Sequence, residues 1–169
     1  ALQLLFERGK SMQEAVPVGK GSMLAVLGSK MEDVNNCISQ LKNKGVCEIA
    51  NDNAEGQIIV SGNIEAVEEL KNILKEKKKK SITLPVSAPF HCSLMNPAAI
   101  KMKEKINNIN FRKPDYEIIG NVTSLPTNNP DEIKNLLVKQ IYSRVRWRES
   151  ILFMANKKIK DFIEIGPGK

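Results

Sequence analysis

The sequence predicts an α/β protein built in two parts. Between residues 22 and 86, short apolar runs and amphipathic stretches follow in the order β-α-β-β-α-β, the ferredoxin-like arrangement. Residues 87–169 alternate helix-like and strand-like segments, the pattern of a mostly parallel sheet with covering helices. Composition agrees with a folded chain. With 41% hydrophobic and 27% charged residues, 169 residues suffice for a real core.

Each element has a local reason. Residues 1 to about 15 read as a helix with Leu2, Leu5 and Phe6 on one apolar face, ended by Val16-Pro17. Gly19 and Gly21 bracket a turn, and Met23–Leu27 is a short buried strand. Met31–Lys44 has a helical stripe of Val34, Cys37, Ile38 and Leu41, with Gly45 as its stop. Val46–Ala50 and Gln57–Ser61 read as a hairpin joined by an Asn51–Gly56 turn. Asn63 is placed to cap a helix through Glu76, whose inner stripe is Ile64, Val67, Leu70, Ile73 and Leu74. Acid at Glu65 to Glu69 suits that helix's first half. Ser81–Val86 closes the first part as a fourth strand. Beyond it, helices are expected over Met95–Ile106, Asp131–Tyr142 and Trp147–Asn156, and strands over Tyr116–Val122 and Phe162–Ile165.

Several function classes are excluded. No apolar run approaches the roughly 18 residues of a membrane span; the first residues show no signal-peptide pattern, which for a fragment leaves a leader upstream open. The three cysteines (Cys37, Cys47, Cys92) are odd in number and show no C-x-x-C spacing, so neither a disulfide framework nor a zinc site is indicated. A reducing compartment fits them. Net charge is +7, part of it in the block Lys71, Lys75, Lys77, Lys78, Lys79 and Lys80. Two readings of that block stand: a solvated helix end, or attraction of an acidic partner. Nucleic acid lacks support, with 5% aromatics and none on the strands Ile58–Val60 and Ile82–Leu84.

The only histidine, His91, lies in Pro85-Val86-Ser87-Ala88-Pro89-Phe90-His91-Cys92-Ser93-Leu94-Met95. A loop histidine there can move a proton near neutral pH. Cys92 is not its nucleophile, because adjacent side chains on extended backbone point apart. Gly166-Pro167-Gly168 reads as a tight turn, since it lacks the Lys-Ser/Thr ending of a phosphate loop.

The histidine loop resembles the L-P-V-S-x-P-x-H-x-x-L-M segment of the malonyl-CoA:acyl-carrier-protein transacylases. Four further segments, in the family's order, are similar too. Arg8-Gly9-Lys10-Ser11-Met12-Gln13-Glu14-Ala15-Val16-Pro17 resembles R-G-x-x-M-Q-x-A-V-P. Asn51-Asp52-Asn53-Ala54-Glu55-Gly56-Gln57 resembles N-x-N-x-x-G-Q. Val145-Arg146-Trp147 resembles V-x-W, and Glu164-Ile165-Gly166-Pro167-Gly168-Lys169 resembles E-V-G-P-G-K.

The resemblance implies a large α/β-hydrolase-like subdomain (residues 1–21 and 87–169) carrying a small ferredoxin-like insertion (residues 22–86). It implies malonyl transfer from malonyl-CoA to the phosphopantetheine thiol of acyl carrier protein, in fatty acid biosynthesis, with no metal and no further cofactor. His91 is then the base, held by the main-chain carbonyl at Gln140. Arg8 grips the malonyl carboxylate, Phe90 lines the acyl pocket, and Asn51 and Asn53 face the cleft. Read from the residues alone, His91 is also an ordinary surface or core histidine in a loop, Arg8 a helix-terminal surface arginine and Gln140 a plain helix-end residue, and Asn51 and Asn53 are common turn formers. The family's G-H-S-L-G nucleophile segment has no counterpart, since no G-x-S-x-G occurs here. The expectation is therefore a fragment, inactive alone, of a monomeric protein of the cytoplasm or of a plastid or mitochondrial matrix. The competing expectation is a non-enzymatic ferredoxin-like module binding a ligand or RNA.

Overall fold

In a computed structural model, residues 1–42 and 45–166 are described. They form six α-helices, a four-stranded sheet and a two-stranded one. The first helix, α1 (Leu2–Glu14), leads into β1 (Gly21–Leu27), α2 (Met31–Ile38), the hairpin β2 (Cys47–Ala54) and β3 (Gln57–Asn63), α3 (Ile64–Glu76) and β4 (Lys80–Thr83). These strands make one sheet in the order β2-β3-β1-β4, antiparallel at every pair.

Alternation along the strands divides the sheet's two faces. Leu24, Val26, Ile58 and Val60 point to one face, where Val34 and Cys37 of α2 and Val67, Leu70 and Leu74 of α3 close a core. Met23, Ala25 and Ile59 point to the other, against Ala50, with Leu84 and Phe90 packed on them. The central strands are thus covered on both sides, which explains why Met23–Leu27 reads as one unbroken apolar run. It also leaves the binding-module expectation without an open central face on which RNA bases could stack.

Three boundaries and one cap in this part depart from the sequence reading; one boundary is that of β4, which ends at Thr83 rather than Val86. Helix α2 stops at Ile38, not in the forties, because Ser39 Oγ and Gln40 Nε2 take the Asn36 carbonyl at 3.0 and 2.7 Å. The rest of the expected helix, with Lys44, runs into residues outside those described. Strand β2 continues to Ala54 through two register shifts, so the turn is only Glu55-Gly56, and Asn51 and Asn53 lie on a bulged strand. Asn63 stands at the cap position of α3, yet its Oδ1 accepts from Val46 N at 2.7 Å rather than from the helix.

The remainder is helical. A 3₁₀ turn (Ser93–Met95) opens α4 (Asn96–Asn107), and α5 (Pro130–Lys139) and α6 (Trp147–Asn156) follow. Asn129 caps α5, its Oδ1 accepting from Asp131 and Glu132 amides at 2.9 and 3.2 Å. A second core joins Met12 and Val16 to Ala88, Met95, Ala98, Met102, Ile106 and Ile141.

The expected parallel sheet is not found among the described residues. Tyr116–Val122 contributes only β5 (Ile118–Ile119), paired antiparallel with β6 (Pro126–Thr127). Phe162–Ile165 is no strand, and Ile163 and Ile165 are about as exposed as side chains become, at 87% and 92%. A strand needs a neighbour for its amide ladder; β5 finds one only in the two residues of β6, and Phe162–Ile165 pairs with none of the described strands. The apolar face predicted for α1 is likewise uncovered: Leu2, Leu5 and Phe6 are exposed, and the helix buries Ser11 and Met12 instead. Of Gly166-Pro167-Gly168, the last two residues lie outside those described.

Candidate active site

The loop that carries His91 is seated on the first sheet by close approach. A methyl group on Gly21 would stand 2.3 Å from the Pro89 ring, so only glycine at the head of β1 admits this loop. Cys92 Sγ donates to the Pro89 carbonyl at 3.2 Å. Phe90 packs between the second core and the outer face of the sheet. Between them, His91 adopts φ +59°, a left-handed conformation uncommon for a residue with a side chain.

That backbone aims the imidazole at the end of α5. His91 Nδ1 lies 2.9 Å from the Gln140 carbonyl oxygen. A carbonyl can only accept, so Nδ1 carries the proton and donates, and Nε2 keeps its lone pair. Burial holds the His91 pKa below its ordinary value. The Gln140 carbonyl opposes this, and the nearby charge of Arg8 adds to it. The ring is therefore neutral at neutral pH, with Nε2 free to accept a proton.

Arg8, from α1, is half-buried, and burial lowers its own pKa. Among the described residues it has no acidic partner; the ion pairs of its helix are Glu7 with Lys105 and Glu14 with Lys101. A partly desolvated guanidinium without a counter-ion calls for an anion, best a carboxylate held by two hydrogen bonds. Arg8 and Gln140 line one groove of about 630 Å³ with Leu4, Met102, Phe111 and Ile141.

The structure thus brings Arg8, His91 and Gln140 together. Phe90 packs against both cores, and neither it nor His91, Asn51 or Asn53 lines that groove. Asn51 instead forms a single parallel bridge with Val145. Burial raises the Cys92 thiol and pushes Cys47 up to about 12, so neither is a ready thiolate. Of the basic block, Lys71 in mid-α3 meets Thr83 and Glu68, while past the helix end Lys77 meets Gln40 and Lys79 meets Asp33.

Sequence reasoning missed two acids that tie the site together. Glu48 of β2 accepts from Ser93 N at 2.9 Å and from Ser93 Oγ at 2.6 Å, two residues beyond His91. Asp52, 1% exposed, is held by Arg148 Nε and Nη2 at 2.8–3.0 Å. Nothing in spacing links residues 45 or 96 apart. The one visible signal was an acid placed in an otherwise apolar or amide-bearing strand. Among the described residues no cluster of potential metal ligands occurs, and no helix is long and apolar enough to cross a membrane.

No family model matches the chain. Individual proteins do. Over its whole length the chain is 37% identical to the malonyl CoA-acyl carrier protein transacylase of Escherichia coli (strain K12) and 39% identical to that of Bacillus subtilis (strain 168). It spans 55% and 54% of those proteins, about half their length. A solved malonyl CoA-acyl carrier protein transacylase from Clostridium perfringens superimposes with a TM-score of 0.93 at 40% identity, over 98% of this chain and 52% of that one. A malonyl-transacylase solved in complex with a type II PKS acyl-carrier protein gives 0.94 at 35% identity, over 98% of this chain and 54% of that one.

Proposed function

We propose, taking homology along the whole chain to the malonyl CoA-acyl carrier protein transacylases as the premise, that the protein carrying this chain moves malonyl groups. It transfers malonyl from malonyl-CoA to the phosphopantetheine thiol of an acyl carrier protein, through a malonyl-serine intermediate, in fatty acid biosynthesis. The observation that carries this is the His91–Gln140 contact beside Arg8, which has no acidic partner among the described residues.

The proposed steps use each group once per half-reaction. His91 Nε2 takes the proton of a serine hydroxyl as the oxygen attacks the thioester, and returns it to the departing CoA thiolate. In the second half it deprotonates the carrier's thiol and reprotonates the serine. The Gln140 main chain keeps the imidazole in the tautomer this requires, so its side chain is of little consequence. Arg8 holds the malonyl carboxylate through paired hydrogen bonds. Phe90 shapes the acyl pocket, and Asn51 and Asn53 face the cleft from β2. The proposal puts the serine in residues outside this chain.

The reading extends to architecture. Residues 22–86 are proposed as a ferredoxin-like insertion, supported by their strand order, within an α/β-hydrolase-like subdomain that includes residues 1–21 and 87–169. The basic end of α3 is proposed to attract the acidic carrier protein.

The test is transfer of labelled malonyl from malonyl-CoA to acyl carrier protein by the full-length protein. His91→Ala is expected to lower the rate about 10²–10⁴-fold. Label transfer that is absent in the intact parent, or unchanged in the variant, overturns the reading. Arg8→Ala is expected to depress malonyl transfer while sparing or raising acetyl transfer; equal loss for both acyl groups would remove Arg8 from its role.

A further inference from the structure

We infer that Glu48 is the positioning residue of the site: its carboxylate, through Ser93, holds the His91 loop in the strained conformation that meets the Gln140 carbonyl. The inference rests on the proposed role of His91 for its kinetic consequences, and on geometry alone for its structural ones.

The backbone at His91 needs holding. A left-handed conformation at a residue with a Cβ persists only where its surroundings over-determine it. Besides the Ser87–Gln13 bond at the start of the loop, three contacts at and next to the ring do so. One is the imidazole itself, on Gln140 O. The second, Cys92 Sγ on Pro89 O, is internal to the loop. The third reaches outside it: both oxygens of Glu48 are matched by both donors of Ser93, amide and hydroxyl. A carboxylate is the one side chain that offers two acceptors and a charge to two such donors. Glutamine would offer one acceptor and turn an N–H₂ toward a donor.

Strand β2 is also bound to the other half of the contact. Five residues after Gln140, Val145 N donates to Ala50 O at 2.7 Å and Val145 O accepts from Asp52 N at 2.9 Å. Arg148 then grips Asp52. One strand therefore touches the segment after the imidazole and the segment after its carbonyl partner. Glu48 connects the first of these by side-chain bonds, so it can be altered without cutting the ladder.

The experiment compares Glu48→Gln with the parent in full-length protein, measuring malonyl transfer and the ¹⁵N spectrum of the His91 imidazole. Losing a charge-assisted bond that acts on the barrier predicts a kcat lower by about 10–100-fold, with KM for malonyl-CoA unchanged. The imidazole is expected to leave its single Nδ1–H form for a mixture of tautomers. In a His91→Ala background, Glu48→Gln is expected to cost nothing more, because it works through the absent ring. A folded Glu48→Gln protein with parental kcat and a parental imidazole spectrum overturns the inference. Should that variant not fold, Ser93→Ala removes only the hydroxyl and decides instead: a smaller drop with the same tautomer mixing supports it, and no change overturns it. If His91→Ala itself transfers malonyl normally, the functional reading fails, and the imidazole spectrum alone then decides whether Glu48 positions the ring.

Discussion

The four-stranded sheet with α2 and α3 differs from the rest of the molecule in where its apolar residues find partners. In the sheet region they meet within about sixty residues of chain: β1 and β3 face α2 and α3, and Ile82 is the one large side chain of β1–β4, α2 and α3 that stays open. In the helical region the partners are far apart or missing among the described residues. Leu2, Leu5 and Phe6 on α1, Ile100 on α4, Trp147 and Leu152 on α6, and Ile163 and Ile165 beyond it are all exposed. The site lies on the seam. Its base sits on a loop packed against the sheet, its carbonyl and its arginine on helices of the other region, and β2 reaches across to both. Closed local packing supplies the rigid platform, and long-range polar ties place the reactive groups upon it.

Core truncation gives the largest contrast between the two regions. Leu70 is wholly buried between α3 and the sheet. Leu70→Ala is expected to cost about 2–5 kcal/mol, through lost burial and the cavity left behind. Leu5, 63% exposed on α1, should change stability by no more than about 0.5 kcal/mol on the same substitution. Urea unfolding of this chain measures both. Comparable losses would mean that α1 is packed as tightly as the sheet, and would break the comparison.

The tie across the seam comes next. Arg148→Met leaves the Asp52 carboxyl group without its partner in a site where its side chain is 2% exposed. Breaking a buried pair typically costs about 3–5 kcal/mol, and since the Arg148 side chain is itself 37% exposed, the low end is expected. Hydrogen exchange locates the damage: amides of β2 and of residues 145–150 should lose protection, while β1 and α3 keep theirs. Uniform loss across the sheet would show that the pair supports the whole domain rather than the seam.

This division also explains what the sequence revealed. Period is local, so α3 was readable from Val67, Leu70 and Leu74, and β3 from Ile58 and Val60. Reading failed where a side chain chose a distant or competing partner. Ser39 and Gln40 cut α2 short by taking the Asn36 carbonyl, and Val145 drew Asn51 and Asp52 into a longer, bulged β2. Ile163 and Ile165 have strand composition, but composition cannot supply a neighbouring strand. At the site, motif likeness pointed to Arg8, His91 and Gln140, while Glu48 and Asp52 were hidden because their partners, Ser93 and Arg148, are remote in sequence.

The smallest effect tests whether helix α1 bears on the loop electrostatically. Burial is the main reason His91 resists protonation, and Arg8 contributes less. A histidine with a depressed folded pKa is neutral in the fold at pH values where the unfolded chain would already be charged. Its contribution to stability, and its capacity as a base, are therefore full above about pH 6.5 and are lost as pH falls through the lower folded value. Because His91 is the only histidine of this chain, one imidazole signal followed by NMR against pH reports it directly. The midpoint is expected below the ordinary histidine range. Arg8→Gln should move it upward, yet leave it under that range, since burial, the larger cause, persists. A midpoint unmoved by Arg8→Gln would mean that the arginine's charge does not reach the ring, and the seam would then be joined by hydrogen bonds alone.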